Sequence, residues 1–403
     1  FLGAGIGIDV LGFGRITPTR VLLPILLLSL LLRANYVLTG PLFLRLYFLV
    51  MIFWVLWSLL SLGWTPNLAN GQVKFVIFCS GAIVSLWFAA DIAKRPMAEN
   101  QIMHAIIVLS LIFSALSCWE FFSEVNIFEQ FSVEPIGFEN RVSSYGYKIP
   151  FGVYNNSNNH AFVNFLLFTL VVIGVGRYEF ISLRWLARVA AFMLVALMLL
   201  SVSRAAIGSL FVWSIIVIFF RKTFSKVAIL NLVGLPALAS LFLLAYPEFL
   251  SSLVGSILGR FTEEATLSVR GTYLIKGVDA IGDSFGVGTG LGSNVEVLDG
   301  QDYHNFFMEV AVENGLVVLI ILLMFIASLL FRLFNGSLSR GNQSWKNRTL
   351  FAGLFALPLA AVGPSSIHGE VLFWTWLGIL VGLVSKAKRE NELSTIRFSD
   401  EKS

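Results

Sequence analysis

The sequence predicts an all-α integral membrane protein with about 12 transmembrane helices. Hydrophobic residues make up 57% of the chain and charged residues only 13%, and the mean hydropathy is +0.82. A soluble globular protein is excluded, because this much apolar surface needs lipid. Apolar runs of about 17–22 residues recur, which is the length that a helix needs to cross a bilayer. They lack the alternating pattern of outer-membrane strands.

Each span is placed by its apolar run and its polar borders. The chain begins at Phe1 without a methionine, and its first residues are interpreted as the tail of a truncated helix, followed by a short apolar run at 21–32. Ten clearer spans follow at 43–63, 73–90, 101–119, 160–177, 184–200, 205–221, 226–246, 316–333, 348–363 and 371–387. We expect one polytopic membrane domain over residues 1–403.

Basic residues indicate which loops face the cytoplasm. Lys and Arg collect in every second connection and again in the polar tail at 388–403, as expected of short cytoplasmic loops. This basic excess, with a net charge of +4, implies no nucleic-acid partner. The C-terminus is therefore predicted to be cytoplasmic. The two long segments at 120–159 and 247–315 then face outward and carry short amphipathic helices.

Two arginines of the outward face are candidates for phosphate binding. Arg204 lies in a short hairpin among small residues, in "LLSVSRAAIGSL", where it is either a snorkelling anchor or a fixed cation for a lipid-linked phosphate. Arg270 begins an amphipathic stretch and is either a solvated surface residue or a second such cation. The glycine run at 286–292 follows no strand and opens no βαβ unit, so it is interpreted as a flexible turn.

A histidine and several acidic residues lead into an apolar helix in "GQDYHNFFMEVAVENGLVVLI". His304 is expected to project from the first helical turn, where it can accept a proton from a sugar hydroxyl or be merely structural. Glu309 lies on the neighbouring side of that helix. His368 and Glu370 in "GPSSIHGE" support the site or cap a helix. No histidine pair or Asp-x-Asp motif indicates a metal, so no cofactor is expected.

These residues resemble a known family, the bacterial O-antigen polymerase and O-antigen ligase superfamily. "HNFFMEVAVENGL" is similar to its signature of His-Asn, nine residues and Gly, here His304, Asn305 and Gly315. "SRAAIGSL" and "VRGTYLIKGVDAIGDSFGVGTG" resemble the segments that carry its two arginines, here Arg204 and Arg270. An upstream family segment is loosely similar to the stretch that contains Arg141 and Asn158. The resemblance covers about residues 50–380.

The resemblance implies a metal-independent, GT-C-like glycosyltransferase at the periplasmic face of the bacterial cytoplasmic (inner) membrane. Its donor is an oligosaccharide on undecaprenyl pyrophosphate, and its further partners are membrane lipids and chain-length regulator proteins. His304 would be the catalytic base, and Arg204 and Arg270 would stabilise the leaving pyrophosphate. The implied substrate-binding residues are Tyr303, Asn305, Glu309, Arg141, Asn158 and His368.

Two activities of the superfamily remain open. A polymerase transfers the glycan to another lipid-linked repeat, whereas a ligase transfers it to lipid A–core. The compact loop between Arg270 and His304 favours a polymerase, as does Val318, where the family usually has a small or aromatic residue. A transporter or flippase for lipid-linked sugars is less favoured, because its ionisable residues would lie within the spans.

Overall fold

The computed structural model describes residues 8–10, 14–16, 18–95, 97–123, 149–152, 154, 156–177, 181–220, 264–338, 342–364 and 366–400. A short antiparallel ribbon of β1 (Ile8–Val10) and β2 (Gly14–Ile16) begins the described chain. The helices are α1 (Pro18–Leu31), α2 (Ala34–Thr39), α3 (Leu42–Ser61), α4 (Leu68–Lys94), α5 (Ala98–Ser123), α6 (Ser157–Arg177), α7 (Ile181–Leu200), α8 (Arg204–Phe219), α9 (Glu264–Asp283), α10 (Asn294–Val297), α11 (Phe306–Ser337), α12 (Asn342–Ala360) and α13 (Val371–Asp400).

The helices confirm a multi-span helical membrane protein. Among the described residues, six are long and apolar enough to cross a membrane: α3, α4, α5, α6, α7 and α11. Three shorter apolar helices lie at Leu22–Leu31, Arg204–Phe219 and Val371–Lys386. Described helices occupy every predicted span from residue 21 onward except 226–246, which lies outside the described residues. The predicted helix tail before residue 21 is wrong, because the antiparallel ribbon of β1 and β2 lies there. The total of 12 spans, the single domain, the loop orientations and the cytoplasmic tail at 388–403 stay predictions.

The described chain divides into two compact units. Unit 1 comprises Phe1–Ala105, Arg270–Asn335 and Ser365–Ser403, and unit 2 comprises Ile106–Val269 and Gly336–Pro364. In unit 1, α4 packs closely on α13 because glycines replace side chains at the contact. A Cβ at Gly81 would lie 2.2 Å from the Trp374 ring, and one at Gly378 would lie 2.2 Å from the Ser85 carbonyl oxygen. Trp54, Phe78 and Trp374 form the aromatic centre of this unit.

Unit 2 is built around α6, which packs against α7, α8 and α12. Most residues of α6 are buried, as expected of a helix surrounded by other helices. Gly353 of α12 lets Thr169 approach, since an added Cβ would lie 2.9 Å from the Thr169 Cγ2. The Trp213 indole N–H donates to the Thr349 carbonyl at 3.2 Å. These contacts fix α8, whose first residue is Arg204, against α12.

Candidate functional site

The candidate site of unit 1 is formed where α9 packs on the start of α11. Gly277 of α9 permits this packing, because an added Cβ would lie 2.9 Å from the Met308 sulfur. Beside it, Ala280, Leu298, Tyr303 and Val312 form a buried apolar cluster. The loop that contains His304 is therefore held between two helices by apolar contacts on either side of it.

His304 lies before the helix and not in its first turn, which corrects the expectation from the sequence. The helix begins at Phe306, and His304 has a left-handed φ of 50°. The physical reason is an Asn cap: the Asn305 Oδ1 accepts hydrogen bonds from the N–H groups of Phe307 and Met308 at 3.1 and 3.2 Å. The Asn305 side-chain oxygen thus caps the helix. The predicted contact of Asn305 with substrate would use its side-chain NH₂ group.

Arg270 and His304 are brought to the same part of unit 1. The His304 imidazole stacks on the Tyr273 ring, with 6.5 Å between ring centroids and 19° between ring planes. Tyr273 follows Arg270 by three residues on α9, so the two side chains lie on one helical face. Both Arg270 and His304 are partly exposed. Arg270 therefore lies on the same helical face as the Tyr273 ring that His304 contacts.

The glycine run is a fixed structure and not the flexible turn expected from the sequence. Gly286, Gly288, Gly290 and Gly292 all have positive φ. A Cβ at Gly290 would lie 2.6 Å from the Thr65 Cα. The Trp64 indole N–H donates to the Gly288 carbonyl at 2.9 Å, and the Asn70 amide donates to the Gly292 carbonyl at 2.7 Å. These glycines allow close backbone packing between the loop and the connection from α3 to α4.

Behind this loop lies a buried group of charges that the motifs did not indicate. The Lys74 ammonium lies 2.7 Å from Glu313 Oε1 and 3.4 Å from Glu309 Oε1. Glu309 Oε1 also accepts a hydrogen bond from the Ser366 hydroxyl at 2.7 Å and lies 3.4 Å from His368 Nδ1. The exposed fraction of each carboxylate side chain is 3% or less. Glu309 and His368, both predicted to bind substrate, thus contact each other.

The same group offers the ligand types of a metal site. Glu309, Glu313 and His368 each place one candidate ligand atom within 4.8 Å of the others. Lys74 changes this interpretation, because its ammonium lies within 3.4 Å of both carboxylates. This positive charge already offsets one of the two negative charges, so the arrangement fits an internal ion pair better than a metal centre.

The negative charges extend their effect to the loop beside His304. Burial and the charges of Glu309 and Glu313 raise the pKa of the Asp302 carboxyl above its usual range, although Lys74 partly offsets them. Burial and the same two carboxylates raise the pKa of the Tyr303 hydroxyl as well. Tyr303 is only 5% exposed. Tyr303 therefore packs inward, and its predicted contact with substrate stays a prediction.

Two other predicted residues, Arg204 and Asn158, lie in unit 2 near one hairpin. Arg204 is the first residue of α8, after Val202 with φ of 51° in the hairpin. Gly363 lies between the hairpin and α6, since an added Cβ would be 3.1 Å from the Ala205 Cβ and 3.6 Å from the Asn158 Cβ. Asn158 thus lies near the hairpin of Arg204. Arg141 lies outside the described residues, and its predicted role is not tested.

Residues 189–323 match the model of the O-antigen ligase family. This match confirms the resemblance to the O-antigen ligase and polymerase superfamily, and the matched segment includes Arg204, Arg270 and the whole loop of His304. No curated protein matches the chain. The superfamily acts on lipid-linked glycans in membranes, which agrees with the helical multi-span fold.

Proposed function

We propose that this protein is a surface-polysaccharide polymerase of the inner membrane. It transfers a glycan from undecaprenyl pyrophosphate to a sugar hydroxyl of another lipid-linked repeat, at the periplasmic face. The observation that carries the proposal is the His304–Tyr273 stack beside Arg270, within the segment that matches the O-antigen ligase family. It supports a base on the His304 loop and a cation on the neighbouring helix α9 of a membrane protein.

The proposed chemistry is an inverting displacement. The acceptor hydroxyl oxygen attacks the anomeric carbon while His304 takes the hydroxyl proton. The bond between the anomeric carbon and the phosphate oxygen breaks, and the pyrophosphate leaves with its electron pair. Arg270 stabilises the growing negative charge through paired N–H donors, and the family resemblance assigns the same role to Arg204. No metal is required in this proposal, because the arginines supply the positive charge.

The alternative is an O-antigen ligase, which the name of the matched family favours. A ligase would use the same donor and the same base but a different acceptor, lipid A–core. Both activities need a base that accepts the proton of the acceptor hydroxyl, so His304 would serve either one. The acceptor alone separates the two.

The test is turnover by the purified protein with undecaprenyl-pyrophosphate-linked repeats, alone and with lipid A–core. A ladder of longer lipid-linked glycans without lipid A–core supports the polymerase, and product that needs lipid A–core supports the ligase. Because a general base contributes about 10²–10⁴-fold to the rate, His304→Ala should reduce turnover by that factor. His104→Ala is the matched control, since His104 is an exposed histidine of α5. Equal activity of both variants would refute the role of His304.

A further inference from the structure

The first nine residues of α11 form a separate short helix. Gly315 has φ of 88° and ψ of 167°, a non-helical conformation that interrupts α11. The Leu316 N–H donates to the Gly286 carbonyl at 2.8 Å instead of to its own helix. The segment 306–314, which we name the short helix, is thus separated by a break from the long membrane span that follows. Tertiary contacts of its side chains therefore help to set its position.

Lys74 of α4 forms an ion pair with two carboxylates of the short helix. Glu309 and Glu313 are four residues apart and share one face of it. Without a cation these two buried carboxylates would repel each other, and a buried charge without a partner is strongly destabilising. The Lys74 ammonium lies within 3.4 Å of both, and the Lys74 side chain is only 14% exposed. The ion pair therefore holds the short helix against α4.

The short helix in turn carries the loop of His304. Asn305 directly follows His304, and its carboxamide oxygen caps the first turn. Asp302, two residues before His304, responds to the charges of Glu309 and Glu313. A displacement of the short helix would therefore displace the backbone of His304. Tertiary contacts with Lys74 thus reach the base through about one to two turns of helix and one cap.

We propose that Lys74 is a positioning residue for His304. It touches neither the substrate nor the reacting atoms, and it acts by fixing the short helix through Glu309 and Glu313. This inference rests on the proposed function, because it takes His304 to be the base of a glycosyl transfer. Misplacement of a catalytic group by about 1 Å can reduce the rate about 100-fold.

The test compares Lys74→Met with a matched control, Lys386→Met. Lys386 forms another buried pair in unit 1, with its ammonium 3.2 Å from Glu99 Oε2 and the two side chains 12% and 2% exposed. Both substitutions remove a cation from a buried carboxylate, so both should lower the thermal unfolding midpoint. Only Lys74→Met should lower kcat, by about 100-fold, with little change in KM for the lipid-linked donor. Lys74→Arg keeps the charge and should recover most of the lost kcat.

Hydrogen exchange of the backbone amides gives a second measurement that needs no substrate. Lys74→Met should speed exchange in residues 302–314, whereas Lys386→Met should not. The inference is overturned if both variants lose kcat equally or if the exchange of 302–314 is unchanged. If the wild type turns over no lipid-linked glycan, the proposed function fails and the exchange result still decides on Lys74. Should Lys74→Met not fold, Glu313→Gln must give the same two changes, and its failure to do so overturns the inference.

Discussion

The break in α11 can be tested with the substitution Gly315→Ala. With φ of 88° and ψ of 167°, Gly315 occupies a region that is essentially restricted to glycine. A Cβ there would lie 2.2 Å from the Val287 carbonyl oxygen and 2.7 Å from the Gly286 carbonyl oxygen. Both are backbone atoms, so a simple side-chain rotation cannot relieve the overlap.

The expected loss of unfolding free energy has two sources. The backbone conformation costs about 1–3 kcal/mol for a residue with a Cβ. Displacement of residues 286–287 would also weaken the bond from the Leu316 N–H to the Gly286 carbonyl, and a net hydrogen bond is worth about 0.5–1.5 kcal/mol. Allowing for partial relaxation, Gly315→Ala should destabilise the protein by about 3 kcal/mol.

Thermal unfolding in detergent can follow this change with a thiol-reactive dye, because Cys79 and Cys118 are free and half-buried. Gly282→Ala is the matched control, since Gly282 lies near the end of α9 with no atom within 4 Å of an added Cβ. It should raise the unfolding midpoint through about 0.5–1 kcal/mol of helix propensity. If Gly315→Ala unfolds at the wild-type temperature, the break is not a structural requirement and the reasoning is wrong.

Three further predictions concern polar side chains, two of them buried asparagines and the third Asp302. Among the described residues, neither side-chain polar atom of the buried Asn164 in α6 has a hydrogen-bond partner, so Asn164→Leu should raise the unfolding midpoint. Asn314→Leu should lower it, because Asn314 accepts from the Trp54 indole N–H and donates to the Ser58 hydroxyl; the opposite order of the two midpoints would contradict this. The raised pKa of Asp302 means that its ionisation opposes folding. Its contribution to stability falls as pH rises from the usual Asp range through the raised pKa, so Asp302→Asn should stabilise the protein at neutral pH and flatten the pH dependence of unfolding. An unchanged pH dependence would count against the shift.

Local sequence patterns located the helices well. Hydropathy is a property of successive residues, and a run of about 20 apolar residues in lipid must be helical so that its backbone groups are satisfied. The start of α11 was predicted too early, although its signal was present: Asn305 before an apolar helix is a typical N-cap. Attention to that cap would have placed His304 outside the helix.

The role of Lys74 was missed because its partners lie far away in sequence, with Lys74 and Glu313 separated by 239 positions. One signal existed, since a lysine at the start of an apolar span needs an anionic partner. Glu309 and Glu313, four residues apart, were the matching signal. The sequence around Lys74 does not identify Glu309 and Glu313 as its partners, because both segments are compatible with several packing arrangements.

A helical membrane protein, and the family segment that contains Arg204, Arg270 and His304, were predictable from the sequence. These conclusions follow from hydropathy and short motifs, which are read locally along the chain. The close packing of the glycine run, the break in α11 at Gly315 and the ion pair of Lys74 with two buried carboxylates were not predictable in this way. The physical reason is that close backbone approach and the pairing of buried charges depend on which distant segments meet, and packing sets those distances.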